Sequence, residues 1–101
     1  MGNAGIARLI LSLKDRKVDL WTLTAMTDLV DENGKVIGIK ATKDGSSINI
    51  KANKGVILAA GGFERDQDLR DQYLPKPSNA EWSAANIHNT GDALKAALKL
   101  G

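Results

Sequence analysis

The chain is 101 residues long, with no cysteine, one histidine and a formal charge of +2. That inventory excludes disulfides, thiolate-bound zinc or iron–sulfur clusters, thiol nucleophiles and multi-histidine metal sites. The lysines and arginines are scattered rather than clustered, so no nucleic-acid partner is expected, and no run approaches the ~18 apolar residues of a membrane span. A hydrophobic content of 43% with 26% charged residues fits a packed globular protein, and the absence of cysteine fits a reducing, cytoplasmic compartment.

Ile6, Leu9, Ile10 and Leu13 recur at helical spacing, with Arg8, Ser12, Lys14 and Asp15 on the opposite side, which predicts an amphipathic helix over 4–16. Such a face calls for a sheet to pack on. Val18 to Leu23 reads as a strand on its β-branched and aromatic content.

Residues 26–52 read as a three-stranded antiparallel meander. Asn33-Gly34 suits a type I′ hairpin turn, and Asp44-Gly45 marks a second one. Ile37, Ile39 and Ala41 alternate with Gly38, Lys40 and Thr42, and Ile48, Ile50 and Ala52 likewise share a face.

Val56 to Ala60 is apolar without alternation, which predicts a strand buried on both faces, as in a parallel sheet. It ends on Gly61-Gly62, where the lack of side chains permits close backbone approach. Read alone, Ala59-Ala60-Gly61-Gly62 is either a backbone shelf for a flat or phosphorylated ligand or a buried strand ending in a tight turn.

Residues 61–89 form a long polar connection with a short helical piece at 68–73, and connections of this length are where function tends to sit. Glu64, Arg65, Asp66, Asp68, Arg70 and Asp71 read as the wet face of that helix. Trp21 and Trp82 read as packing residues.

A last helix spans 91–100, with Asn89-Thr90 as its cap and Leu94, Ala97 and Leu98 as its apolar stripe. In Asn89-Thr90-Gly91-Asp92, first-turn N–H groups can hold an anion and Asp92 can accept hydrogen bonds from sugar or ribityl hydroxyls. The alternative is a plain cap with a dipole-complementing carboxylate. His88 has no partner from which a catalytic constellation can be built, and no catalytic or metal-binding set is predicted anywhere in the chain.

Taken in order, these pieces resemble the FAD-binding domain of the fumarate reductase/succinate dehydrogenase flavoprotein superfamily, in its 3-ketosteroid Δ1-dehydrogenase-like branch. The matching elements are Ile6-Ala7-Arg8-Leu9 through Leu20, the Asn-Gly hairpin after Thr27-Asp28-Leu29-Val30, and Lys54 through Glu64. Tyr73-Leu74-Pro75, Glu81-Trp82-Ser83 and Asn89-Thr90-Gly91-Asp92 complete the set. The resemblance implies an α/β, Rossmann-like FAD-binding domain, of which this chain alone is an α+β piece. In it the meander is an excursion from the main sheet, and the strand ending in Ala-Gly-Gly lies beside the dinucleotide-binding unit.

The resemblance further implies FAD as cofactor and hydride transfer as the chemistry of the parent, with a small-molecule substrate. It places the backbone of Met26 near the adenine, Ala59, Ala60, Gly61 and Gly62 along the cofactor cleft, and Asn89, Thr90, Gly91 and Asp92 toward the flavin side. Such proteins usually carry glycine at the positions of His88 and Ala93, so a closer flavin approach is lost there. The sequence contains no Gly-x-Gly-x-x-Gly unit for the pyrophosphate. The chain is therefore expected to be an internal piece of a longer flavoprotein, with Met1 not its natural start and the rest of that protein as its partner. On that reading the isolated piece is inactive. The alternative is a self-associating binding or assembly module without cofactor, whose uncovered sheet edge and helix face meet a second copy.

Overall fold

The computed structural model describes residues 2–101. Three helices and one three-stranded antiparallel sheet make an α+β arrangement: α1 (Gly2–Asp15), β1 (Thr24–Glu32), β2 (Lys35–Lys43), β3 (Ser46–Lys51), α2 (Gln67–Tyr73) and α3 (Asp92–Leu98), with a 3-10 turn at Ala80–Trp82. The sheet order is β1-β2-β3.

Both hairpins form where the turn dipeptides predict them. Asn33 and Gly34 have φ of 52° and 79°, and Asp44 and Gly45 have φ of 50° and 77°. Two positive φ angles in succession define the type I′ turn, whose twist matches that of the flanking strands. The ladder slips twice, between Met26 and Asp28 and between Val30 and Asp31. The first slip leaves Thr27 as an extra residue on β1, a bulge of the kind that re-aims neighbouring side chains. The second displaces the simple alternation expected of β2. Ala41 is buried as expected, but Ile37 and Ile39 are only half-buried, and Gly38 is buried against β3. A β-carbon on Gly38 would stand 2.2 Å from the Ile50 carbonyl oxygen, so only glycine fits that crossing.

The buried apolar side chains are small: Ala41, Leu69, Ala80, Ala93 and Ala96. Ala93 and Ala96 lie on α3, which packs against β1. No larger side chain than Leu69 is buried among the described residues.

Three further expectations fail, each at apolar residues that the described fold leaves uncovered. The helix α1 forms, and the Val18 N–H donates to the Leu13 carbonyl with Lys17 left-handed at φ 55°, a Schellman-type stop. It does not pack on the sheet, however: Ile6, Leu9 and Ile10 are exposed. Val18 to Leu23 forms no strand, and Leu23 is left-handed at φ 52°. The predicted strand at 56–60 has no strand partner, and Ile57 is 94% exposed. A parallel strand buried on both faces needs neighbours in the sheet and helices above and below, and the described residues supply neither. No described helix is long and apolar enough to cross a membrane.

Candidate functional site

The two glycine-containing motifs, separated by most of the long connection, are brought together. The Gly91 N–H donates to the Gly62 carbonyl at 3.0 Å, and the Arg65 N–H donates to the Asn89 carbonyl at 3.0 Å. The Asn89 side-chain amide donates to a Glu64 carboxylate oxygen at 3.1 Å. Three bonds therefore tie 62–65 to 89–91.

Close approach explains the glycines here, and what approaches is the protein itself. A β-carbon on Gly61, at φ 77°, would stand 2.7 Å from Asn89 Oδ1, and one on Gly62 would stand 2.6 Å from a Glu64 carboxylate oxygen. On Gly91, at φ 72°, it would meet Leu69 Cδ1 at 2.5 Å and Phe63 Cβ at 2.9 Å. Gly91 is the N-cap of α3 in a left-handed conformation, without a side-chain cap bond. The expected Asn89-Thr90 cap is thus corrected. The Thr90 hydroxyl makes its bonds with the His88 carbonyl and the Asp92 carboxylate instead, at 3.4 and 3.1 Å.

Ion pairs fix the helices around this junction. Asp66 caps α2 by accepting the Leu69 N–H at 2.8 Å, and its second oxygen pairs with Lys95 on α3. Lys99 pairs with Asp28 on β1 at 3.0 Å. The Lys95 ammonium, helped by the Leu69 N–H, lowers the Asp66 carboxyl below its ordinary value, and Asp66 in turn raises Lys95. Lys99, followed by the Leu29 N–H, lowers Asp28 in the same way.

A cavity of about 400 Å³ opens between β1 and α3, lined by Ala25, Met26, Thr27, Asp92, Lys95, Ala96 and Lys99. Met26 and Asp92, predicted separately, share it. Ala59, Ala60 and Gly61 do not line it; they are exposed. Gly62 and Asn89 are half-buried at the junction, Thr90 is half-buried beside it, and Gly91 is buried within it. Among the described residues, the backbones of Ala59, Ala60 and Gly61 make no hydrogen bond. These residues are solvent-exposed, so their donors and acceptors are open to water or to a ligand.

Sequence reasoning missed the group that joins the motifs. Glu64, Arg65, Asp66 and Arg70, expected to be a wet helix face, are half-buried, whereas Asp68 and Asp71 are exposed as expected. Arg65 donates from its guanidinium to the Ala85 carbonyl at 3.1 and 3.0 Å and to the Ala80 carbonyl at 3.4 Å. Arg70 bonds the Ser78 hydroxyl at 2.9 Å and the Glu64 carbonyl at 3.3 Å. The signal that could have marked Asp66 as a cap is its carboxylate immediately before the Gln67-Asp68-Leu69 turn. Nothing in the spacing flags Glu64 or Arg65. Both tryptophans, read as packing residues, are substantially exposed, with the Lys43 ammonium 4.1 Å over the Trp21 ring.

Drug-sized ligands fill pockets of about 300–1,000 Å³ and are mostly enclosed by them, whereas this cavity is open and its walls are one strand and one helix. Free backbone groups at 59–61, a glycine turn and a carboxylate in the first turn of α3 are compatible with one wall of a cofactor cleft.

The chain belongs to the FAD-binding domain family, whose model matches residues 1–101. It is 42% identical, over its whole length, to 3-oxosteroid 1-dehydrogenase of Mycolicibacterium smegmatis, of which it covers 19%. It is 33% identical to NADH:acrylate oxidoreductase of Vibrio harveyi over 95% of this chain and 10% of that one. Among solved structures it resembles 3-ketosteroid Δ1-dehydrogenase of Sterolibacterium denitrificans, in complex with 1,4-androstadiene-3,17-dione. The TM-score is 0.82 and the identity 48%, covering 88% of this chain and 16% of that one. It also resembles 3-ketosteroid-Δ4-(5α)-dehydrogenase of Rhodococcus jostii, with a TM-score of 0.80 and 26% identity over 92% of this chain and 19% of that one. The chain thus spans about one fifth of the length of relatives such as the Mycolicibacterium enzyme.

Proposed function

We propose that the chain forms one wall of the FAD cleft in an FAD-dependent oxidoreductase acting on a ketosteroid or a related dehydrogenation or enoate-reduction substrate. The observation that carries this reading is the junction at Gly62 and Gly91, 3.0 Å from nitrogen to oxygen, which brings the Ala59–Gly62 and Asn89–Asp92 segments together. When bound, FAD supplies hydride transfer at its N5 position.

In this reading the backbone of Met26 meets the adenine end, and Ala59, Ala60, Gly61 and Gly62 line the cleft. Asn89, Thr90, Gly91 and Asp92 approach the flavin side. Met26 and Asp92 line the same cavity of about 400 Å³, so in this reading both lie along one stretch of the cofactor. Asp92 serves the connecting part of the cofactor, accepting hydrogen bonds from ribityl or sugar hydroxyls. No residue of this chain is assigned to polarising a carbonyl or carrying a proton, and a cysteine-free sequence suits a cytoplasmic enzyme.

The exposed apolar residues of α1 and Ile57 favour the remainder of a flavoprotein chain as their cover. A second copy of the chain is the competing occupant, and its signature is a discrete dimer in light scattering. The decisive test replaces the corresponding segment of the Sterolibacterium dehydrogenase with residues 1–101. A folded chimera that retains FAD through gel filtration and oxidises a 3-ketosteroid is the expected result, and a folded chimera without flavin overturns the reading.

A further inference from the structure

We propose that Glu64 and Asn89 form a positioning pair that holds the Gly61-Gly62 turn against the Asn89–Asp92 turn, so that the cofactor-facing backbone of both is presented in one arrangement. The inference rests on the FAD-cleft reading for its purpose, but not for its geometry. The Asn89 amide donates to the Glu64 carboxylate at 3.1 Å, and both side chains are half-buried. The pair occupies the space that β-carbons on Gly61 and Gly62 would take, with Asn89 Oδ1 facing the first at 2.7 Å and Glu64 facing the second at 2.6 Å. The backbone bonds on either side, from Gly91 to Gly62 and from Arg65 to Asn89, are each 3.0 Å and close a ring in which the carboxamide is the central link.

This changes the expected role of two residues. Asn89 spends its amide on Glu64, so it acts through the turn rather than chiefly through the cofactor. Glu64, with no role expected beyond the surface, becomes the acceptor that orients it. Gly61 and Gly62 are small because the pair needs their space.

Glu64→Ala removes the acceptor, whereas Glu64→Gln keeps a carbonyl oxygen for the Asn89 amide while losing the charge. Gly62→Ala attacks the pair from the other side, since its new β-carbon displaces the carboxylate. In the 101-residue chain, amide exchange of Gly91 and Arg65 should speed up by about tenfold in Glu64→Ala, as befits a lost side-chain hydrogen bond. It should stay within about twofold of the original in Glu64→Gln, with the β2 amides unaffected in both. Gly62→Ala should mimic Glu64→Ala and add little to it in the double variant, because both break the same contact. In the chimeric holoprotein, FAD should bind about tenfold more weakly with Glu64→Ala and nearly normally with Glu64→Gln.

Unchanged Gly91 exchange in Glu64→Ala overturns the pair, as does a Glu64→Gln protein as impaired as Glu64→Ala. Exchange that responds as expected, in a chain whose chimera never retains flavin, upholds the pair and overturns the FAD-cleft reading instead. Exchange that responds while FAD affinity stays within twofold overturns the positioning role.

Discussion

Gly91→Ala tests the junction most directly, because two costs of different origin fall on one methyl group. The first is conformational: Gly91 has φ 72°, and a left-handed L-residue costs about 1–2 kcal/mol. The second is steric. The added carbon would lie 2.5 Å from Leu69 Cδ1 and 2.9 Å from Phe63 Cβ. The leucine methyl can rotate, but Phe63 Cβ is fixed to the backbone, so relief requires α3 to move away from the 62–64 turn. Overpacking of that kind costs about 1–3 kcal/mol. The sum is about 2–5 kcal/mol, a large part of the ~5–15 kcal/mol that holds a typical domain folded. Gly45→Ala supplies the control, since φ is 77° there but nothing lies within 4 Å of the added carbon. It should cost only the conformational term. Urea unfolding of the chain and both variants, followed by circular dichroism, measures the difference between them directly. Gly91→Ala should fall below Gly45→Ala by about 1–3 kcal/mol, lowering the melting temperature of a chain this size by a further ~4–8 °C per kcal/mol. Equal stability of the two variants would refute the packed junction, because the steric term would then be absent.

Gly38→Ala meets the Ile50 carbonyl oxygen at 2.2 Å and Lys51 Cα at 3.2 Å, both backbone atoms. It should detach or re-register β3, seen as lost exchange protection on β3 with the β1–β2 hairpin retained. The pH profile follows from the ion pairs. Asp28 and Asp66 are depressed from an ordinary 3.8, so their contribution is complete above that value and disappears as pH falls through the lower folded value. Lys95 is raised from 10.5, so its contribution is complete below that value and disappears as pH rises through the higher folded one. Melting temperature should therefore be flat between about pH 5 and 10 with respect to these groups, and Asp66→Asn should flatten part of the acid limb; an unaltered limb would count against the pair with Lys95. Arg65→Lys loses the fork on Ala85 and Ala80, with an expected cost of about 1–3 kcal/mol for the released carbonyls, read as faster proteolysis within residues 74–89. Reconstituted alone with FAD, the chain should leave gel filtration without stoichiometric flavin, since on the proposed reading it supplies only one wall of the cleft; retained equimolar flavin would contradict that.

What was legible in the sequence follows the range of the interactions involved. The meander was readable because each turn is decided by two adjacent residues, Asn33-Gly34 and Asp44-Gly45, whose φ angles the structure reproduces as positive pairs. The helix at 4–16 was readable from its periodicity and appears as Gly2–Asp15, and the last one, expected over 91–100, appears as Asp92–Leu98. The strands at 18–23 and 56–60 were misjudged for the opposite reason. Their apolar residues specify burial, but burial is completed by partners elsewhere, and Ile57 at 94% exposure shows that none of the described residues supplies it. The same composition that marks a central strand of a large sheet leaves a bare segment when the sheet is not there.

The site shows the same limit in a sharper form. Ala59–Gly62 and Asn89–Asp92 each read as a weak motif, and their meaning changed when Gly91 was found bonded to Gly62 at 3.0 Å. No spacing rule predicts that contact, because the 26 intervening residues from 63 to 88 close a loop whose geometry is set by Arg65, Arg70 and Asp66 holding carbonyls, a hydroxyl and a lysine. Sequence reasoning left open whether Gly61 and Gly62 clear room for a ligand or make a tight turn. At Gly61, Gly62 and Gly91 the room is taken by Asn89, Glu64, Leu69 and Phe63 of the same chain. A cofactor surface can thus require glycine twice over, once to expose backbone to the ligand and once to let the two strips of backbone that bind it lie against each other. The second requirement is the one this structure displays: the demand for smallness at Gly61, Gly62 and Gly91 comes from the chain's own side chains packed against the turns.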